Sequence, residues 1–152
     1  MMAQGCAEGL DVALKIWLRE GEKVVVNGAV LVALGRTRLA VENQAAVLRE
    51  REIMTPEEAN TPARRLYFAA MMAYIDEPAR DRYQDQVVLL LHALLSAIQS
   101  DAAKAMVVSF ARHIAAGEFY RALGDCRDLI AYEATALERA PAESIQACAV
   151  LP

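Results

Sequence analysis

The chain has 152 residues, 56% of them hydrophobic, and a formal net charge of −4, which is enough apolar material to build a packed core. Its longest apolar stretch, Val87 to Ile98, is interrupted by His92 and Ser96 and falls well short of the roughly 20 residues that cross a bilayer, so a core helix is expected there and a membrane anchor is not. The charge is uneven: residues 12–55 hold seven Lys/Arg against five Asp/Glu (+2), residues 56–152 hold nine against thirteen (−4), and residues 1–11 hold two acids (−2).

Residues 1–11 carry Glu8 and Asp11 and no Lys or Arg before a hydrophobic run, which fits neither a secretory nor a transit peptide and reads as a flexible extension. Cys6, Cys126 and Cys148 form no CxxC pair, a usage that suits a reducing cytoplasm rather than a disulfide framework. A cytoplasmic location is therefore expected.

From residue 12 to 54 the chain reads as a small antiparallel module of five short strands. Leu14, Ile16 and Leu18 alternate with Lys15, Trp17 and Arg19, the period of two of a half-buried strand. Val24-Val25-Val26 and Ala29-Val30-Leu31-Val32 flank Asn27-Gly28, and Asn-Gly supplies the positive φ values that a two-residue hairpin turn demands. Gly35-Arg36-Thr37 turns the chain into Arg38-Leu39-Ala40-Val41, and Glu42-Asn43-Gln44 turns it into Ala46-Val47-Leu48-Arg49. About 40 residues are too few to bury a comfortable core alone, so the module is expected to pack on the helices, on a second copy of itself, or on both.

Residues 55–140 read as a bundle of about four helices, making the whole an α+β chain. Thr55-Pro56-Glu57-Glu58 and Thr61-Pro62 are successive start signals, predicting a short turn and then a helix from Pro62 to about Ile75, closed by Asp76-Glu77-Pro78. In the second helix Val87, Leu90, Leu91, Leu94, Leu95 and Ile98 recur at steps of three and four, a wide apolar face. Ser100-Asp101 opens the third and Gly117 stops it; the fourth spans about Glu118 to Arg139, with Phe119, Leu123, Leu129, Ile130 and Leu137 as its buried residues. Residues 141–152 show no usable periodicity and read as a tail.

Catalytic chemistry is not expected, because the sequence holds no phosphate-binding glycine loop, no GxSxG and no HExxH. No cofactor or metal is implied either: His92 and His113 are too far apart in sequence to suggest a chelating pair. Cys126 lies beside Arg127, which lowers a thiol pKa if the two interact, whereas burial would leave a plain thiol. Paired acids such as Glu57-Glu58 and Asp76-Glu77 stand at helix starts, where the helix dipole already accounts for them.

Three segments in order, Gly21 to Ala29, Leu39 to Glu50 and Asn60 to Phe68 (Asn-Thr-Pro-Ala-Arg-Arg-Leu-Tyr-Phe), resemble the FlbT proteins of alphaproteobacteria. The likeness covers roughly residues 12–140. It implies a post-transcriptional repressor that associates with the 5′ untranslated region of flagellin mRNA and promotes its degradation. A fainter likeness is to the carbon storage regulator CsrA, a five-stranded RNA-binding dimer. Arg19-Glu20-Gly21-Glu22 is similar to its Arg-x-Gly-Glu turn, and Ala46-Val47-Leu48-Arg49-Glu50 to its Val-His-Arg-Glu strand. That likeness implies RNA contact by Arg49 and by the first strand near Trp17. The chain departs from it at Leu48 and Leu18, which replace a histidine and an arginine, and at Arg51, which resembles an insertion.

RNA binding needs cations for phosphates and planar groups on which bases lie. The expected contact residues are Lys15, Trp17 and Arg19 on one strand, Arg36 and Arg38 at a turn, Arg49 and Arg51 at the last strand's end, and Arg64 and Arg65 at a helix start. Two placements of Trp17 stand open: exposed as a stacking platform, or buried with Lys15 and Arg19 as a solvated edge. The expected partners are a flagellin mRNA leader and, because the small sheet has exposed edges, a second copy in a homodimer. The alternative function is a protein-interaction module whose apolar helical half docks a flagellar assembly partner or flagellin itself, served by Ala69, Ala70, Met71, Met72 and Ala73.

Overall fold

A computed structural model of the chain describes residues 14–139; the expected extension and tail lie outside those residues. The described residues form two compact units, divided in the chain between Ile53 and Met54. Their order is five strands followed by four α-helices.

The strands are β1 (Leu14–Leu18), β2 (Lys23–Val26), β3 (Ala29–Val32), β4 (Thr37–Val41) and β5 (Val47–Arg49). They do not form one sheet: β1 pairs antiparallel with β4, while β2 lies between β3 and β5, antiparallel to both. The β2–β3 hairpin turns at Asn27 (φ 50°) and Gly28 (φ 88°), the left-handed pair that a primed turn requires. Asn27 also fixes the start of β5, since its amide donates to Ala46 O (2.8 Å) and its side-chain oxygen accepts from Ala46 N (2.9 Å). Ile16 and Leu18 are buried with Val24, Ala33 and Val47 in a small core. Leu14, expected on the same buried face, is exposed, because it lies at the outer end of β1 beyond that core.

The helical unit begins with a 3-10 turn at Pro56–Glu58, followed by α1 (Pro62–Ile75), α2 (Arg80–Ala97), α3 (Asp101–Ala115) and α4 (Phe119–Arg139). The caps are those expected from the sequence. Thr61 accepts from Arg64 N (3.2 Å), Ser100 accepts from Ala103 N (3.3 Å), and Gly117 leaves α3 at φ 79°. Helix α1 packs on both α2 and α4, and α4 packs on α3.

Small residues allow α4 to lie close on α1: Ala63, Ala70 and Ala73 are fully buried, and the Cys126 thiol donates to Ala63 O at 3.4 Å. Burial pushes that thiol well above the ordinary cysteine range, with Glu133 and Asp125 adding to the effect and Arg127 opposing it. Cys126 is a plain core thiol. Glu133 of α4 completes the α1 N-terminus by accepting from the Thr61 hydroxyl and from Ala63 N (3.1 Å), placing an acid where four amides lack helical partners.

Two burial expectations are corrected. On α2 only Val87 and Leu94 are buried; Leu90, Leu91 and Ile98 are half-buried, and Leu95 is exposed with Val88 and Leu89. The physical reason is that α2 rests chiefly on one neighbour, α1, so one stripe is covered and the rest of its wide apolar face is not. On α4 Phe119, Leu123 and Leu129 are buried with Ala122 and Cys126, while Ile130 and Leu137 are half-buried.

The α3–α4 seam holds a polar cluster in which Asp125 accepts from Ser109 Oγ (3.0 Å) and meets His113 Nδ1 at 2.5 Å. Replacing Asp125 with Ala removes the shared acceptor of Ser109 and His113, leaving His113 only its longer contact with Glu118, and is expected to cost about 1–3 kcal/mol. Urea unfolding followed by helical circular dichroism measures it; Ser109→Ala, which leaves the His113 contact in place, costs less.

Candidate functional site

The β unit carries a groove of about 1280 Å³ lined by Trp17, Arg19, Arg36, Arg38, Arg49 and Arg51, among others. Strand register explains how residues distant in sequence meet there. Trp17 and Arg38 are direct partners across β1 and β4, and the Arg38 guanidinium lies 5.2 Å from the centre of the indole ring, within cation–π range. Arg36 is brought in by the turn leading into β4. Arg49, at the end of β5, donates from Nη2 to Trp17 O at 2.8 Å, so its side chain joins β5 to β1.

Trp17 is 60% exposed, so of its two expected placements the ring takes the exposed one. Its cationic neighbour is Arg38, not the Lys15 and Arg19 that flank it along the strand. Of the nine expected contact residues, six line the groove; Lys15 is exposed on β1 but does not line it, and Arg64 and Arg65 belong to the helical unit. Both of these arginines are half-buried. Arg65 instead borders a shallow apolar cleft with Phe68, Ala69, Gln86, Leu89 and Leu90.

The groove's acids escape a search for cations. Glu20, Glu22 and Glu50 also line it, so five arginines against three glutamates leave +2. Glu22 accepts from Arg19 N (2.9 Å) and lies 3.5 Å from Arg49 Nη2, and Glu50 accepts from Lys23 N (2.8 Å). The Arg19 amide, followed by the charge of Arg49, holds the Glu22 carboxyl below the usual glutamate range. The sequence signal for this latch is the Arg19-Glu20-Gly21-Glu22 turn, where Gly21 at φ 84° lets Glu22 fold back onto Arg19 N.

Ser109, His113 and Asp125 hold the three residue types of a nucleophilic triad. Their bonding is different: serine and imidazole both address the Asp125 carboxylate, so the hydroxyl is not bonded to a base. The cluster is a cross-link between helices. Among the described residues no group of three or more His, Cys, Asp or Glu is placed to hold a metal ion, and no helix is long and apolar enough to cross a membrane.

Fold and groove together define a small α+β protein in two units whose β unit carries an open, cationic and aromatic surface. The chain belongs to the FlbT family: the family model described as "Flagellar protein FlbT" matches residues 14–137. The "Flagellum biosynthesis repressor protein FlbT" of Caulobacter vibrioides is 38% identical over 122 residues, covering 79% of this chain and 86% of that one. Two relatives named "Probable flagellum biosynthesis repressor protein FlbT" are 41% identical in a Caulobacter species (79% and 92% covered) and 33% identical in Rhodopseudomonas palustris (83% and 98% covered). No solved structure matches the chain.

The lowered Glu22 pKa fixes the sign of a pH effect. Stabilisation from this carboxylate is fully present above the ordinary glutamate value of 4.5 and is lost as pH falls through the lower folded-state value. In an Arg49→Ala variant the Glu22 carboxyl is expected to titrate higher than in the wild type yet below 4.5, because the Arg19 amide still donates to it. Carboxyl-carbon NMR titration reads both positions.

Proposed function

We propose that this protein is a post-transcriptional repressor of flagellin synthesis that binds the 5′ untranslated region of flagellin mRNA through the β-unit groove and promotes degradation of the transcript. Membership of a family whose relatives carry the name flagellum biosynthesis repressor supports the regulatory part. The observation that carries RNA as the ligand is the exposed Trp17 ring, with Arg38 at its side in a groove of five arginines.

Unstacked bases lie on aromatic faces, and the backbone between them is held by cations. Trp17 supplies the face. Arg36, Arg38 and Arg51 are exposed and supply phosphate contacts, while Arg49, engaged with Trp17 O and Glu22, positions the platform. The glutamates along the same groove repel phosphate, which confines the backbone to the arginine side and leaves their oxygens to accept from base edges. Occupying a leader in this way hinders ribosome access and exposes the transcript to nucleases.

A gel-shift titration with the flagellin leader from the same genome tests the reading. Wild-type protein binds at low salt; Trp17→Ala weakens binding about 5- to 150-fold, the equivalent of about 1–3 kcal/mol for one stacked base. The Arg38→Ala, Arg51→Ala double variant weakens it further and flattens the salt dependence by about 0.7 log units per lost phosphate contact. Absence of wild-type binding at low salt overturns the reading, and wild-type affinity in all the variants overturns this site.

A second reading, docking of a flagellar assembly partner or flagellin through the helical unit, is favoured by one observation. Val88, Leu89 and Leu95 stand exposed on α2, and Leu89 borders the Arg65–Phe68 cleft. Co-purification separates the two: RNase-sensitive recovery of the leader supports RNA binding, and RNase-resistant recovery of a protein partner supports docking.

A further inference from the structure

Strand β3 is anomalous for the end strand of a sheet. All four of its residues are exposed, Val30 at 62% and Val32 at 48% on one face and Leu31 at 44% on the other. It stands at the edge of the β3-β2-β5 sheet, with no strand on its outer side among the described residues. Edge strands that face solvent are ordinarily blunted by charge, proline or a bulge. Here the chain from Asn27 to Gly35 contains no charged residue and no proline, and β3 pairs with β2 in unbroken register.

The hydrogen-bond phase shows which backbone groups that edge presents. The two-residue turn makes Val26 and Ala29 a directly bonded pair, and the Ala33 amide donates to Glu22 O at 2.9 Å, so Ala29, Leu31 and Ala33 address β2. The N–H and C=O groups of Val30 and Val32 point outward.

We propose that β3 pairs antiparallel with β3 of a second copy of this chain about a two-fold axis at Leu31. Val30 then faces Val32 of the second copy and exchanges two hydrogen bonds with it, the symmetric pair does the same, and the two Leu31 residues meet on the axis as a non-bonded pair. A self-paired strand must not set like charges opposite one another, and this nine-residue segment has none to set. A charged partner segment would find no counter-charge on it. Pairing also joins two three-stranded sheets into one of six strands, which enlarges a small unit whose central cluster, among the described residues, has five buried members. This surface is separate from the RNA groove, and the proposal stands whether or not RNA binds there.

The test uses the full chain. Light scattering is expected to give twice the 16.6 kDa chain mass, and a Val30→Glu, Val32→Glu variant, which sets carboxylates opposite one another at the seam, is expected to give the single mass with unchanged helical circular dichroism. A gentler variant, Leu31→Cys, is expected to form a 31-to-31 disulfide on mild oxidation, identified by peptide mass spectrometry. The non-bonded pair places the two Cα atoms about 4.5 Å apart, within disulfide reach; Val30→Cys, offset from its own copy, forms no such bond. A monomeric wild type overturns the proposal, including one in which residues 1–13 protect the β3 amides from exchange. So does a dimer that cross-links through Leu89→Cys on α2 but not through Leu31→Cys.

Discussion

The side chain of Arg49 sets the geometry on which the groove depends. The strands fall into two small sheets, and the guanidinium at the end of β5 reaches the Trp17 carbonyl of β1 while pairing with Glu22 of the β1–β2 turn. Glu22 is itself held by the Arg19 amide of that turn. One planar donor thus ties a strand end, a strand and a turn together, a task suited to a rigid fork of N–H groups and poorly suited to a lysine. With β1 fixed in this way, Ile16 and Leu18 face the small core and Trp17 faces out, where Arg38 lies against it.

Much of this was legible in the sequence because the signals are local. The Asn27-Gly28 turn, the Thr61-Pro62 and Ser100-Asp101 helix starts and the Gly117 stop each act through a few neighbouring backbone groups, so residue type alone places them. The division of five strands between two sheets was not legible, because strand partnership is decided by contacts distant in sequence. Nor was the exposure of Val88 and Leu89: periodicity reports that a helix has an apolar face, and the number of neighbours that cover it is a tertiary fact.

The site shows the same division. Six of the nine expected residues line one groove: the β1–β4 register sets Trp17 against Arg38, and the Arg49 bond to Trp17 O brings in the end of β5. Lys15 shares the exposed face of β1 but does not line the groove, and Arg64 and Arg65 lie in the other unit. The glutamates of the groove were not legible, because the spacing of phosphate-binding cations says nothing of the acids between them, although Glu22 closes the Arg19-Glu20-Gly21-Glu22 turn. Ser109 and His113, four residues apart on α3, did carry a signal for a shared polar face; their meeting with Asp125 on α4 did not.

The central claim is that RNA lies on the β unit against Trp17. Photo-cross-linking the full-length protein to a flagellin leader substituted with 4-thiouridine, followed by peptide mapping, reads the contact directly. The account predicts adducts on the peptide containing Trp17 and on those carrying Arg36 to Arg38 or Arg49 to Arg51. Adducts confined to the helical unit, residues 54–139, would contradict it.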